Sequence, residues 1–524
     1  MAGVKQDVFF FWFACCAIVL PAAAGRTFPL GAFYAAFLVL GVSIFSLWRR
    51  DALFDVLLHL QRALEKKFFW PFFGLIALLW AGVFSLKYFS LGYHTFDTGI
   101  YAQMLAYFAE HGVYFSTFSR KHALSDHFTP NLLLLAPLFR WHPAFGWLIV
   151  FKAAAFLACP LLLLSFGRRF LGSASKLAYL CPIMMLVHPF LAQLVFFEFQ
   201  PSTLAMPFIL LSFFYAAADR LLLAAAVLVF AAGFKENLPL IWVAVGCYLM
   251  LEKRRFITGA AFIAGGAAAG YVLNYCVIPY FNQGAPSPHS ELLEPRSHLL
   301  EKGQLIVLAF SSVGFLPLLA PRIALAVLPA FGTALLSRVP VMFTFGYQYQ
   351  DLPLAALFAA SLLALGKYHE GRSWLNAVRT KYRELFICVG IAGAIFCFRG
   401  SVAVFLCESW PTKRELKLHR EVAAYAVAAP KDKDIWAVER LSVFFVGHPR
   451  LRSLDRYRAL APYSVQPKSN PPHIMVLPDA KELSSLDKEF YQELRRRLEG
   501  GVREGRYRLQ PGYEELLVYE YTGS

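Results

Sequence analysis

Apolar runs of roughly 18–22 residues, the length that crosses the hydrocarbon core of a bilayer as a helix, recur from residue 8 to about 406. In lipid a backbone must satisfy its own N–H and C=O groups, which leaves helices as the natural spanning form for runs of this length. With 58% hydrophobic and only 16% charged residues, a chain of 524 residues carries more apolar surface than a water-soluble fold of that size can hide. The pattern predicts an all-α polytopic membrane protein. Spans are expected at 8–24, 28–47, 68–88, 143–166, 177–196, 202–218, 221–235, 238–251, 256–279, 304–320, 322–336, 351–366 and 385–406, about 13 in all. The stretches 221–235, 238–251 and 322–336 are short, as tilted, broken or re-entrant helices are. The 51 Phe and 24 Tyr suit lipid-facing and interfacial positions.

The formal net charge of +16 does not point to nucleic acid. Most of the basic residues fall in short loops, where positive charge records orientation. Arg49, Arg50, Lys66 and Lys67 form one cluster, and Arg168, Arg169 and Lys176 another. Lys253, Arg254 and Arg255 form a third; Lys367, Arg372, Arg379, Lys381 and Arg383 form the fourth. Thirteen spans with a cytoplasmic N-terminus put all four inside. The first run, near Lys5 and Ala22–Gly25, also has the look of a cleavable signal, but a second run follows so closely that a retained span is favoured. The nine cysteines lie in or beside apolar runs with no metal-ligand spacing and read as small packing residues.

Three regions follow. Residues 1–67 hold two spans and their cytoplasmic connection, 68–407 the main membrane domain with an outer loop at 89–142, and 408–524 a small soluble α/β domain on the outer face. In that last region strand patterns appear at 434–446, 473–477 and 516–521, helical ones at 411–429 and 483–499, and Pro462–Pro472 reads as a loop.

The same topology gathers the polar motifs outside. Asp97 lies just past the run that ends near Leu86, ahead of Tyr101, Gln103 and Met104 in helical register, so that 97–111 reads as an amphipathic surface helix. Asp97 is either that helix's N-cap or a catalytic or metal-binding carboxylate. His127, in Ser125–Pro130, suits a phosphate, a metal or a titrating role, or is an interfacial histidine at the start of a helix. Glu198, in Phe-Phe-Glu-Phe-Gln-Pro, should line a cavity or meet a cation. Lys235, Glu236 and Asn237 interrupt an apolar stretch; Lys235 either binds a lipid phosphate or makes a structural ion pair, with Glu198 one candidate partner. In Gly346–Asp351, Tyr347 fits the interfacial belt while Gln348 could bond a sugar. Gly259–Gly270 reads as small-residue helix packing. Walker, dinucleotide, zinc and Gly-x-Ser-x-Gly patterns are absent from the sequence, which argues against nucleotide-driven chemistry.

Together, Phe96-Asp97-x-Gly99, His127-Phe128, Phe197-Glu198-Phe199-Gln200-Pro201 and Lys235-Glu236-Asn237 resemble, in order and spacing, the motifs of a family of bacterial polytopic membrane proteins. That family is similar to the GT-C glycosyltransferases, which take sugars from polyprenyl-phosphate donors on the outer face of the membrane. The resemblance covers roughly 68–480 and departs from the family pattern at Glu198 (Asp), Gln200 (His) and Asn237 (an acid). Two metal ligands or proton carriers of the pattern are thereby lost.

The resemblance implies a GT-C-like glycosyltransferase of the bacterial cytoplasmic membrane, with the N-terminus inside and the C-terminal domain extracytoplasmic. Its partners would be a polyprenyl-phosphate-linked sugar, membrane lipids and an acceptor hydroxyl. Asp97 and Glu198 are the catalytic candidates, and also the candidate ligands if a divalent cation (Mg or Mn) takes part. His127, Gln200, Lys235, Glu236, Asn237, Tyr347 and Gln348 are the substrate-binding candidates. A transporter or lipid-linked-sugar flippase is the alternative, and a scaffold recruiting partners through its outer domain a third reading.

Overall fold

The computed structural model describes residues 66–173, 175–287, 293–344, 347–377, 410–454, 473–479 and 485–522. The expected spans 8–24, 28–47 and 385–406, and the Pro462–Pro472 loop, lie outside the described residues. The described residues fall into two compact units. One is made of those within Met1–Trp80, Lys152–Phe197 and Pro201–Val404; the other of those within Ala81–Phe151, Glu198–Gln200 and Phe405–Ser524.

Among the described residues four helices are long and apolar enough to cross a membrane: Phe68–Phe89, Gly146–Leu171, Phe256–Phe281 and Asp351–Asn376. A fifth candidate is the pair Leu177–Leu186 and Phe190–Phe196, bent by 44° where His188 and Pro189 interrupt it. The helices Met206–Ala217, Leu221–Ala232 and Pro239–Leu251 are shorter. At 12 or 13 residues each they reach about 18–20 Å, short of the roughly 30 Å hydrocarbon core. The expected span 304–320 is not one helix. Leu299–Ser312 stops where Gly314 and Phe315 take positive φ (61° and 54°), which a continuing right-handed helix cannot contain.

In the first unit, Asp351–His369 is the central helix, buried at every position from Asp351 to Gly366, as an all-apolar helix must be. The Pro239–Leu251 and Phe256–Val272 helices pack at backbone distance, as the glycine-rich sequence of the second led us to expect. A Cβ on Gly246 would stand 2.7 Å from the Gly259 carbonyl oxygen. Charges gather at one end of these helices: Asp219 pairs with Lys253 and Arg255 (2.9 and 3.0 Å), and Lys367 with Glu252 (2.8 Å). The turn Lys235–Asn237 and Asp351 belong to the opposite helix ends.

The second unit is built on a five-stranded sheet of order β4-β3-β5-β7-β6. Its strands are β3 Ile435–Val438, β4 Leu451–Leu454, β5 Ile474–Pro478, β6 Tyr507–Leu509 and β7 Leu516–Tyr521, with β4, β3 and β5 parallel and β7 antiparallel to both β5 and β6. Expected strand 434–446 ends at Val438 and gives way to helical turns Glu439–Ser442 and Val443–Phe445. Ile-Trp-Ala-Val is a continuous apolar run, suited to a central parallel strand buried on both faces, and the alternation does not continue beyond it. The two expected helices are Lys413–Ala428 and Ser485–Arg503. Thr412 and Glu415 cap the first reciprocally. Its Glu421 carboxylate accepts the N–H groups of Glu514, Glu515 and Leu516 at 3.1, 2.9 and 3.0 Å, fixing the start of β7.

Residues far earlier in the chain complete this core. Leu91 and Phe118 are buried in it, and Ile100 packs against it. A short antiparallel pair, β1 Phe115–Ser116 and β2 Lys121–His122, carries Phe118 in its turn.

Candidate functional site

The segment after the Lys66–Phe89 helix turns sharply. Leu91 and Asp97 both take positive φ (56° and 64°), and Thr95–Gly99 forms a π-type turn before the Ile100–His111 helix. The backbone N-cap of that helix is Gly99, which has no side chain to cap with, and Asp97 lies two residues before it in the π-type turn. The helix is not a one-sided surface helix: Tyr101 through Ala106 are all buried. Asp97 is half-buried in a left-handed conformation, which costs an ordinary L-residue roughly 1–2 kcal/mol and which Asp and Asn tolerate best. Gly99 is closely approached here. A Cβ would lie 3.2 Å from both the His94 carbonyl oxygen and Val443 Cγ1. The Asp97 turn thus rests on the Glu439–Ser442 and Val443–Phe445 turns of the C-terminal region.

Next to it lies a desolvated charge pair. Lys87 Nζ is 2.9 Å from Glu198 Oε1, with side-chain exposures of 10% and 11%. Glu198 Oε2 accepts from the Thr98 hydroxyl and from the His94 N–H (3.3 Å). The Thr98 oxygen in turn accepts the Phe199 N–H at 2.9 Å. Thr98 therefore ties Asp97's neighbourhood to the Phe197–Pro201 motif in both hydrogen-bonding directions. The Tyr93 ring lies under the Lys87 ammonium, 4.5 Å away. Burial, and then the Glu198 charge, push the Tyr93 phenol well above its ordinary value, so it stays neutral and cannot serve as a base.

The structure thus brings Asp97 and Glu198 together through Thr98, and it gives Glu198 the partner Lys87 where the sequence offered Lys235. Lys87, Thr98, His94 and Tyr93 were missed by sequence reasoning. Lys87 had a signal, an ammonium in the last turn of an apolar span. Thr98 had none beyond its place beside Asp97. Gln200 is buried. His127 is half-buried in the loop between the turns Ala123–Ser125 and Pro130–Leu135; the latter has Thr129 as N-cap, so His127 does not start the helix. A further missed lysine, Lys152, is fully buried in the Gly146–Leu171 helix and donates to the Phe197 carbonyl at 2.7 Å.

The remaining candidates belong to the first unit. Lys235 and Glu236 are 4% and 6% exposed, in the turn between the Leu221–Ala232 and Pro239–Leu251 helices. The Lys235 ammonium stands 5.8 Å from the centre of the Tyr349 ring. Asp351 is 1% exposed, and its Oδ1 accepts the N–H of Leu352 at 2.8 Å. Asn237 Nδ2 donates to Thr333 at 3.4 Å. Tyr347 is exposed and packs edge-on against Phe197, at 5.9 Å. Gln348 falls in the short helical turn Gln348–Gln350.

A divalent cation does not fit Glu198 in this arrangement. The Lys87 ammonium at one oxygen would repel it, and the other oxygen already accepts two donors. Among the described residues, groups of three or more His, Cys, Asp or Glu able to hold a metal are absent.

The family described as "Predicted membrane protein (DUF2079)" matches residues 87–392, which include all nine candidate residues. Two solved structures are similar over most of the chain. One is the crystal structure of ArnT from Cupriavidus metallidurans bound to undecaprenyl phosphate (12% identity, TM-score 0.48, 86% of this chain and 98% of that one). The other is the same protein in the apo state (13% identity, TM-score 0.46, 85% and 97%). No curated protein matches the chain.

Proposed function

The chain belongs to the DUF2079 family of predicted membrane proteins, and on that footing we propose that it is a membrane glycosyltransferase using a polyprenyl-phosphate-linked sugar. The observation that carries the reading is Asp97. It is a half-buried carboxylate held in a strained left-handed turn, which the Lys87–Glu198–Thr98 cluster and the C-terminal turns lock in place. Such strain persists where a group must be held in one geometry, as a base must. The motif resemblance supplies the reaction class.

In this reading Asp97 takes the proton of an acceptor hydroxyl as its oxygen attacks the anomeric carbon. The bond from that carbon to the phosphate oxygen breaks, and the polyprenyl phosphate leaves as an anion. The role of stabilising the departing phosphate is the one the motif resemblance gives Lys235, an ammonium of low exposure. Glu198, with its oxygens engaged by Lys87, Thr98 and His94, holds the Asp97 turn. The bacterial cytoplasmic membrane, with the C-terminal domain extracytoplasmic, is the setting in which this chemistry has its lipid donor.

The test is sugar transfer in membranes that lack it without this protein. Asp97→Asn keeps a residue that accepts the left-handed turn and should cut transfer by about 10²–10⁴-fold, with unfolding temperature unchanged. Full transfer by Asp97→Asn and Lys235→Ala would sink the proposal. Translocation of a lipid-linked sugar without transfer would favour the flippase instead.

A further inference from the structure

The Lys413–Ala428 helix has two attachments within the second unit. Val422 and Tyr425 enter the sheet core. His419, one turn earlier and 7% exposed, meets a different surface: the Tyr88 ring at 4.7 Å, the Phe89 ring at 5.1 Å and the Phe444 ring at 5.1 Å. Tyr88 and Phe89 close the apolar helix Phe68–Phe89. The imidazole Nε2 is buried with no hydrogen-bond partner. Buried polar atoms are nearly always bonded, so an orphan of this kind calls for a reason.

The ring contacts continue toward Asp97. Tyr88 stacks on Phe145 at 5.3 Å, and Phe145 meets Tyr93 at 5.5 Å and Phe444 at 5.7 Å. Tyr93 is the ring under the Lys87 ammonium, and Lys87 holds Glu198. Val443, beside Phe444, is the residue that closes on Gly99. His419 thus sits at a junction shared by both supports of the Asp97 turn. A neutral imidazole suits this place and an imidazolium does not. The titratable groups around it are the Tyr88 phenol on the span end and Arg420 on its own helix; Lys87, also on the span end, is engaged by Glu198. Val443–Phe445 contributes none, and among the described residues no carboxylate pairs with His419. Burial, and then the Arg420 charge, hold the imidazole below its ordinary value. The seated form is therefore fully favoured above about 6.5, the ordinary histidine value, and loses that advantage as pH falls through the lower one.

We propose that His419 is an acid-sensitive latch: neutral, it seats the Lys413–Ala428 helix on the span end; protonated, it leaves the aromatic junction and frees the Asp97 turn. The sheet core, to which Val422 and Tyr425 belong, stays folded. An effect on sugar transfer rests further on the proposed role of Asp97.

The experiment is hydrogen exchange of the full chain in detergent, corrected for intrinsic rates, at about pH 7.5 and about pH 5.5. The proteins are wild type, His419→Phe and His448→Gln. His448 is a rival titrating group, 2% exposed, with Nε2 2.9 Å from the Pro430 carbonyl oxygen. The reporters are the Gly99 N–H, which donates to the His94 carbonyl at 3.0 Å, and the Phe199 N–H on Thr98. The latch expects the wild-type reporters to lose protection by up to about tenfold at the lower pH while the β5–β7 amides keep theirs, and His419→Phe to show no such loss. An equal loss in wild type and His419→Phe, or one abolished only by His448→Gln, overturns the latch. So does protection that rises in acid, which marks the rings as binding the imidazolium through cation–π attraction. His419→Leu carries the same expectation if His419→Phe does not yield folded protein. Sugar transfer over the same pH range separates the two readings: acid opening that leaves transfer equal in wild type and His419→Phe upholds the latch and removes Asp97 from the reaction.

Discussion

Replacing Glu198 by glutamine removes one charge from a pair whose members are each about nine-tenths buried. At 2.9 Å and an effective dielectric constant of about 20, their attraction is about 6 kcal/mol, much of it offset by the cost of taking two ions out of water. What remains decisive is the Lys87 ammonium left behind. A buried cation that has lost its anion destabilises a fold by about 3–5 kcal/mol. The amide adds about 1 kcal/mol more, because one of its ends must point a donor at Lys87, or at Thr98 and His94, where the carboxylate accepted. The double variant Lys87→Met/Glu198→Gln has no stranded charge, so it should be less damaged than the two single losses added together, with a coupling of about 2–3 kcal/mol. Thermal unfolding of the four proteins in detergent measures that cycle. The difference should persist at high salt, because a buried pair is poorly screened. Strictly additive losses, or a coupling that salt abolishes, would refute the view that this pair is a desolvated clamp on the Asp97 turn.

Two further outcomes follow from the geometry. Gly246→Ala places a methyl 2.7 Å from the Gly259 carbonyl oxygen and from Ile263 Cγ1, which should separate the helix pair and cost about 1–3 kcal/mol. Gly74→Ala, whose Cβ would meet nothing within 4 Å among the described residues, should not lower the unfolding temperature, and equal losses in the two would contradict the close packing. In the C-terminal region, hydrogen bonds from Lys433 and then Arg508 pull the Glu520 carboxyl down to about 2. Its contribution to stability is therefore fully present above the usual carboxylate range of about 4.5 and is lost as pH falls toward 2. Unfolding temperature followed from pH 6 to pH 2 should drop less steeply in Glu520→Gln than in wild type; parallel curves would remove Glu520 from the acid response.

The composition and apolar runs made the membrane class legible, because an 18-residue apolar helix has few other places to go. Helix Lys413–Ala428 was legible from its period, and the Gly259–Gly270 packing from its small residues. Other features were not. The expected strand 434–446 ends at Val438, and the helical turns at 439–445 that follow meet the Asp97 turn, a contact that no local pattern encodes. Asp97 itself read as either cap or catalyst, since both need a carboxylate beside a helix start. Its backbone at φ +64°, in a π-type turn before the helix, is a feature that no local pattern announced.

Sequence alone therefore determined the solvent in which this chain folds and many of the segments that become helices. Tertiary structure decided the partners. Glu198 lies 111 positions from Lys87, and the Phe197 carbonyl 45 from Lys152. A charge buried in low dielectric must be compensated, but that requirement fixes only that some counter-charge exists. Which residue supplies it depends on how separate helices and loops pack, and neither periodicity nor composition carries that information.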